Sequence, residues 1–257
     1  MFLRSNRPWS GALAAAATLM VCGAAHATLF SFASDINHLT PTFAGTAGVN
    51  GSFNITDFSR PNTFNLVIDD NNGPLPSVTI PVEFHASLTA SNGQSTLTSG
   101  TTYQHTYRTT GTFGFYNRTT GNLLMQVTVG ATGGTLTVTG TQNGWSSAGA
   151  ILGANAGGDV MYTVTSDMIA AMGGASVAGQ YGLAPGNSPI TSPDTFGFTL
   201  TSLGLTAGGL VPLNATTHAP TGAWRAEGSY SGNSTIPSPG AMAMVGLGGL
   251  IASRRRR

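Results

Sequence analysis

The chain has 257 residues, of which 40% are hydrophobic but only 7% charged, against about 25% charged in an average soluble domain. All ten basic residues are arginine, which excludes lysine-dependent chemistry such as a P-loop or a Schiff base. A nucleic-acid binder needs a basic face to neutralise phosphates, and in a chain without lysine and with a formal net charge of only +1 no nucleic-acid partner is expected.

The first 27 residues have the layout of a secretory signal peptide. Arg4 and Arg7 precede an alanine-rich apolar stretch containing Leu13, Leu19, Met20 and Val21. Ala25-His26-Ala27 then supplies a small-x-small cleavage site, so cleavage is expected between Ala27 and Thr28. The single cysteine, Cys22, leaves with that segment, and the mature chain then has neither a disulfide nor a thiol nucleophile.

Residues 28–235 are expected to form one all-β domain. Phe64, Leu66 and Ile68 alternate with Asn65 and Asp69, apart from apolar Val67. Over residues 78–90 the alternation is strict: Val78, Ile80, Val82, Phe84, Ala86, Leu88 and Ala90 share one face, and Thr79, Glu83, His85, Ser87 and Thr89 the other. That period of two marks a strand with one buried and one solvated face. Pro81 has no amide donor, which places it at an edge or a bulge. Leu123, Met125, Val127 and Val129 form another face, and a glycine-rich turn at residues 130–134 is expected to lead back through Leu136 and Val138 as a hairpin. One short helix is expected over residues 168–172, capped by Ser166 or Asp167 and ended by Gly173 and Gly174. Residues 173–193 read as a loop excursion. Phe196, Phe198 and Leu200, then Trp224, Ala226 and Tyr230, mark the last strands. Many short strands with glycine-rich turns indicate a single antiparallel β-sandwich, jelly-roll-like.

Residues 236–257 form a three-part tail. Pro237-Ser238-Pro239-Gly240 is followed by an apolar run interrupted by Gly246, Gly248 and Gly249, then by Arg254, Arg255, Arg256 and Arg257. As a helix the run spans roughly 20 Å, short for a permanent bilayer span. The arginines would hold its end in the cytoplasm.

This order resembles the PEP-CTERM sorting signal of exosortase-processed bacterial proteins, with Ser238 standing where the motif has glutamate. The phrases around residues 196–201 and 224–232 also look like the closing strands of β-sandwich domains in such proteins. The resemblance implies that residues 240–253 pause the exported chain in the inner membrane as a short hydrophobic helix. It further implies that an exosortase-type enzyme cuts near residues 237–239, and that the product passes to the cell surface or extracellular matrix. An extracellular polysaccharide is a candidate partner there.

Chemistry-bearing residues are few. Glu83 and His85 share a strand face two residues apart and could meet one metal or act as an acid–base pair; a solvated strand face accounts for them more simply. His105 lies between Tyr103 and Tyr107, an aromatic stripe suited to a binding surface or to packing. Asp69-Asp70-Asn71-Asn72-Gly73 offers oxygen ligands for calcium but lacks EF-hand spacing, so a polar turn is the better reading. Gly144-Trp145-Ser146-Ser147-Ala148 lacks the last glycine and the strand–turn–helix setting of a nucleophile elbow. No catalytic, cofactor-binding or metal-binding residue is assigned and no cofactor is expected. The expected function is therefore non-enzymatic: an exported surface or matrix protein with a structural or adhesive role. The alternative is a secreted carbohydrate-binding module using Tyr103, Tyr107, Trp145 or Trp224 as stacking platforms.

Overall fold

The computed structural model describes residues 28–33, 42–57, 63–70, 74–187 and 195–234. It contains thirteen strands and two short helices. In order, β1 is Thr28–Ala33, β2 Thr42–Gly45, β3 Phe53–Asp57, β4 Thr63–Asp69, β5 Val78–Ser99, β6 Thr102–Asn117 and β7 Leu123–Thr141. Then follow β8 Gly144–Ala154, β9 Val160–Val164, α1 Ser166–Ala171, α2 Ala175–Gln180, β10 Gly186–Asn187, β11 Thr195–Leu205, β12 Val211–Pro212 and β13 Trp224–Ser234. All strands join one sheet, and every ladder between them is antiparallel. The all-β, sandwich-like architecture legible in the sequence is the one the chain adopts.

The sheet closes on itself. Strands β5, β6, β7, β8, β11 and β13 pair in succession. The remaining wall is made of two strand pairs set end to end. β13 pairs with β2 over Trp224, Arg225, Ala226 and Glu227, and with β1 further along its length. β2 continues through β3 to β5 at Ser87, Leu88, Thr89 and Ala90, whereas β1 continues through β4 to β5 at residues 78–83. Closure reduces the open edges at which β proteins tend to aggregate, although β5 beyond Ala90 pairs only with β6.

The ring is flattened, because side chains from opposite walls meet inside it. Phe84 on β5 lies 5.7 Å from Phe198 on β11, and Phe113 on β6 lies 5.1 Å from Phe198 and 5.8 Å from Tyr230 on β13. Towards the other end, Phe53 on β3, Trp145 on β8 and Trp224 on β13 pack edge to face. Burying one such side chain contributes about 1.5–3 kcal/mol, and a well-oriented aromatic pair adds about 0.5–1.5 kcal/mol. The alternating positions of β5 deliver this core as expected, with Ile80, Val82, Phe84, Ala86, Leu88 and Ala90 all buried. Pro81 sits where β6 ends. Arg118 N donates to its carbonyl just past the last β6 partner, Asn117 opposite Val82. An extended residue turns its nitrogen and carbonyl to the same edge, so the missing donor faces a strand that has run out.

Three local expectations are corrected. Residues 130–134 do not reverse the chain; β7 runs straight through them, and both its arms pair with β6. Register jumps from Gly111 opposite Val129 to Thr109 opposite Gly134, so residues 130–133 bulge out of the ladder. The bulge lies where β7 exchanges β9 for β8 as its neighbour. Glycine is needed there because a Cβ on Gly130 would strike the Asp159 carboxylate and one on Gly133 the Asp159 carbonyl. The helix cap is Thr165, one residue before the expected pair, with its side chain accepting from Met168 N. Finally, α2 forms within the stretch read as loop, burying Ala178 without any side-chain cap. Its six residues, one of them glycine, lack the length that gives a helix its periodicity.

Candidate functional site

Glu83 and His85 project together from β5, and the fold adds Asp57 from the end of β3. His85 Nδ1 lies 3.5 Å from Asp57 Oδ2, and Nε2 lies 3.8 Å from Glu83 Oε2. The imidazole packs edge-on against Tyr116, its centroid 4.7 Å away. Each ring nitrogen therefore faces a different carboxylate, which prevents one ion from meeting all three side chains. No group of three or more His, Cys, Asp or Glu able to hold a metal ion occurs among the described residues. Asp57 has a second contact that explains its position. On this edge of β5, β4 pairs as far as Glu83 and β3 takes over at Ser87. Asp57 Oδ1 accepts the Ala86 amide at 3.3 Å inside that gap. The carboxylate thus stands in for a missing ladder carbonyl. Nothing in sequence spacing links Asp57 to His85, 28 residues away.

His105 and Tyr107 belong to the interior rather than to a surface stripe. His105 is fully buried, its Nδ1 2.5 Å from Ser95 Oγ and its Nε2 2.8 Å from the Thr141 carbonyl. Burial lowers its pKa, the neighbouring His218 lowers it further, and the bond to the Thr141 carbonyl partly opposes both. Tyr107 donates to the His218 carbonyl at 2.5 Å and accepts from Trp145 Nε1 at 3.1 Å. Burial pushes its phenol well above the usual range. Tyr107, Trp145 and Trp224 are each 1% exposed or less, so three of the four expected stacking platforms present no face to a sugar. Tyr103 alone is half-buried, stacked at 6.4 Å on His105. Ser146 lies within strand β8 and donates to the Thr139 carbonyl, not in a nucleophile elbow.

A concave feature lies on the outer face of β6. Register slips by one residue on β5 between Ser91 and Gln94, where Asn92 takes a left-handed φ of 54°. On the opposite side of β6 stands the bulge of β7. Between the two lies a groove of about 430 Å³. Asn92 and Gln94 form one wall, Thr106 and Arg108 line it from β6, and Thr132 and Asn155 stand on the far side. Asn155 is fixed there, accepting from Thr135 Oγ1 at 2.7 Å and donating to the Thr132 carbonyl at 2.8 Å. Arg108 is exposed, and its Nε donates to the Ala131 carbonyl on the bulge.

Of the sorting residues, Thr28 begins β1, paired with Ser234 of β13. Ala27, Pro237, Ser238, Pro239, Gly240, Arg254, Arg255, Arg256 and Arg257 lie outside the described residues. In the polar turn weighed as a calcium loop, Asp70 Oδ2 accepts from Leu75 N and Asp69 Oδ2 from Ser77 Oγ. These are turn contacts; Asn71, Asn72 and Gly73 lie outside the described residues. Among the described residues, no helix is long and apolar enough to cross a membrane. No family model, curated protein or solved structure matches this chain.

Proposed function

We propose that the chain is an exported, exosortase-sorted protein of the bacterial cell surface or extracellular matrix, with a structural or adhesive rather than catalytic role. The observation that carries the reading is the tail, in which Pro237-Ser238-Pro239-Gly240, a glycine-interrupted apolar run and four arginines follow one another in the order of a sorting signal. The N-terminal segment, with Arg4 and Arg7 before its apolar stretch and a cleavage pattern at Ala27, supports export by the same route. A closed sheet with a dense aromatic interior suits a domain that must persist outside the cell. The strongest acid–base candidate, His85 between Asp57 and Glu83, lies at a gap in the ladder that Asp57 helps to close. Expression in an exosortase-bearing bacterium tests the reading through fractionation. Wild type is expected in the surface and matrix fractions, and Pro237→Ala/Pro239→Ala in the inner membrane. Equal distribution of the two would overturn it.

A further inference from the structure

The groove across β6 is built by two irregularities that face one another. One is the slip on β5 at Asn92 and Gly93; the other is the four-residue bulge on β7. Both push backbone and polar side chains outward beside Thr106 and Arg108. The lining is made of amides, hydroxyls and one guanidinium. Tyr107, the single aromatic beside it, is 1% exposed and offers no stacking face.

Arg108 sets the sign of the groove. A guanidinium has five N–H donors in a planar fork. Its Nε is committed to the Ala131 carbonyl, which fixes the plane and leaves the two terminal nitrogens for a ligand. Among the described residues no carboxylate pairs with Arg108. Asp159 is the nearby acid, but it lies against Gly130 behind the bulge and does not line the groove. A pre-oriented guanidinium edge matches a carboxylate in bidentate geometry. The amides of Asn92, Gln94 and Asn155 and the hydroxyls of Thr106 and Thr132 match a surface rich in hydroxyls. About 430 Å³ is within the range of natural ligand sites.

We propose that this groove binds a carboxylated polysaccharide, with Arg108 holding a uronate carboxylate and the flanking amides and threonines hydrogen-bonding the sugar hydroxyls. The assignment rests on the matrix-associated reading above and gives it a ligand class. An acidic peptide would also satisfy Arg108, but it would leave the wall of amides and hydroxyls without equivalent partners.

The test is calorimetric titration of the full chain with a short oligogalacturonate, its carboxyl-reduced neutral counterpart, and poly-glutamate. Wild type is expected to bind the oligogalacturonate and to bind the neutral oligomer about tenfold more weakly or less. Arg108→Gln should lose a similar factor, and Gln94→Ala a smaller one. Arg118→Gln, in the β6–β7 turn outside the groove, should bind as wild type does and controls for general charge. Absence of wild-type binding, undiminished binding by Arg108→Gln, or equally tight Arg108-dependent binding of poly-glutamate would each overturn the proposal. Fractionation of the proline variant reads sorting independently, so failure of the ligand site and failure of the sorting reading are separable.

Discussion

At the scale of single residues, polar groups inside the barrel are more telling than those on it. His105 is held neutral between Ser95 Oγ and the Thr141 carbonyl, its pKa depressed by burial and then by His218. A depressed imidazole pKa means that the unfolded chain binds the proton first. Above the ordinary value of 6.5 both states are neutral and this group leaves stability unaffected. As pH falls below that value, protonation of the unfolded chain draws stability away until the folded imidazole also titrates. Urea unfolding followed from about pH 7.5 to about pH 5 should therefore show stability falling below about pH 6.5. His105→Gln should flatten that part of the profile. A profile unchanged by the substitution would show that another group is responsible. The sequence displayed His105 beside two tyrosines but not which way they pointed, because a strand face with mixed polarity looks alike from inside and outside.

At the scale of elements, what could be read depended on how regular the pattern was. Residues 78–90 obey a period of two without exception, and the buried set of β5 is the one that alternation names, apart from the partly buried Val78 at its start. Pro81 was legible too, since a missing donor restricts where a strand can sit. The glycines of β7 were misleading because glycine serves a turn and a bulge equally well; only the shared partner β6 distinguishes them. The phase of burial changes across the bulge, from Val127 and Val129 to Leu136 and Val138, as an inserted segment requires. This explains a difference between two neighbouring glycines. A methyl at Gly130 meets the movable carboxylate of Asp159, whereas at Gly133 it meets that residue's backbone carbonyl. Gly133→Ala should cost about 1–3 kcal/mol in urea unfolding and Gly130→Ala clearly less. Equal losses would contradict a bulge held by backbone contact with Asp159. The groove was likewise hidden, because Asn92 and Asn155 come together only through two bulges and three strands.

For the whole molecule, the near-neutral charge conceals an uneven distribution. Arg4, Arg7, Arg254, Arg255, Arg256 and Arg257 occupy the two ends, whereas all nine acids lie between them with only Arg60, Arg108, Arg118 and Arg225. The proposed mature domain is thus acidic and has few sites for trypsin-like proteases. Its sheet also closes on itself, which reduces the exposed edges that invite association. Both properties suit life outside the cell, and the acidic, arginine-poor character depends on the ends being removed as sorting signals. Intact-mass measurement of the protein released by an exosortase-bearing bacterium tests this most directly. The expected species begins at Thr28 and lacks Arg254, Arg255, Arg256 and Arg257. A released species that retains the arginine cluster would contradict the account.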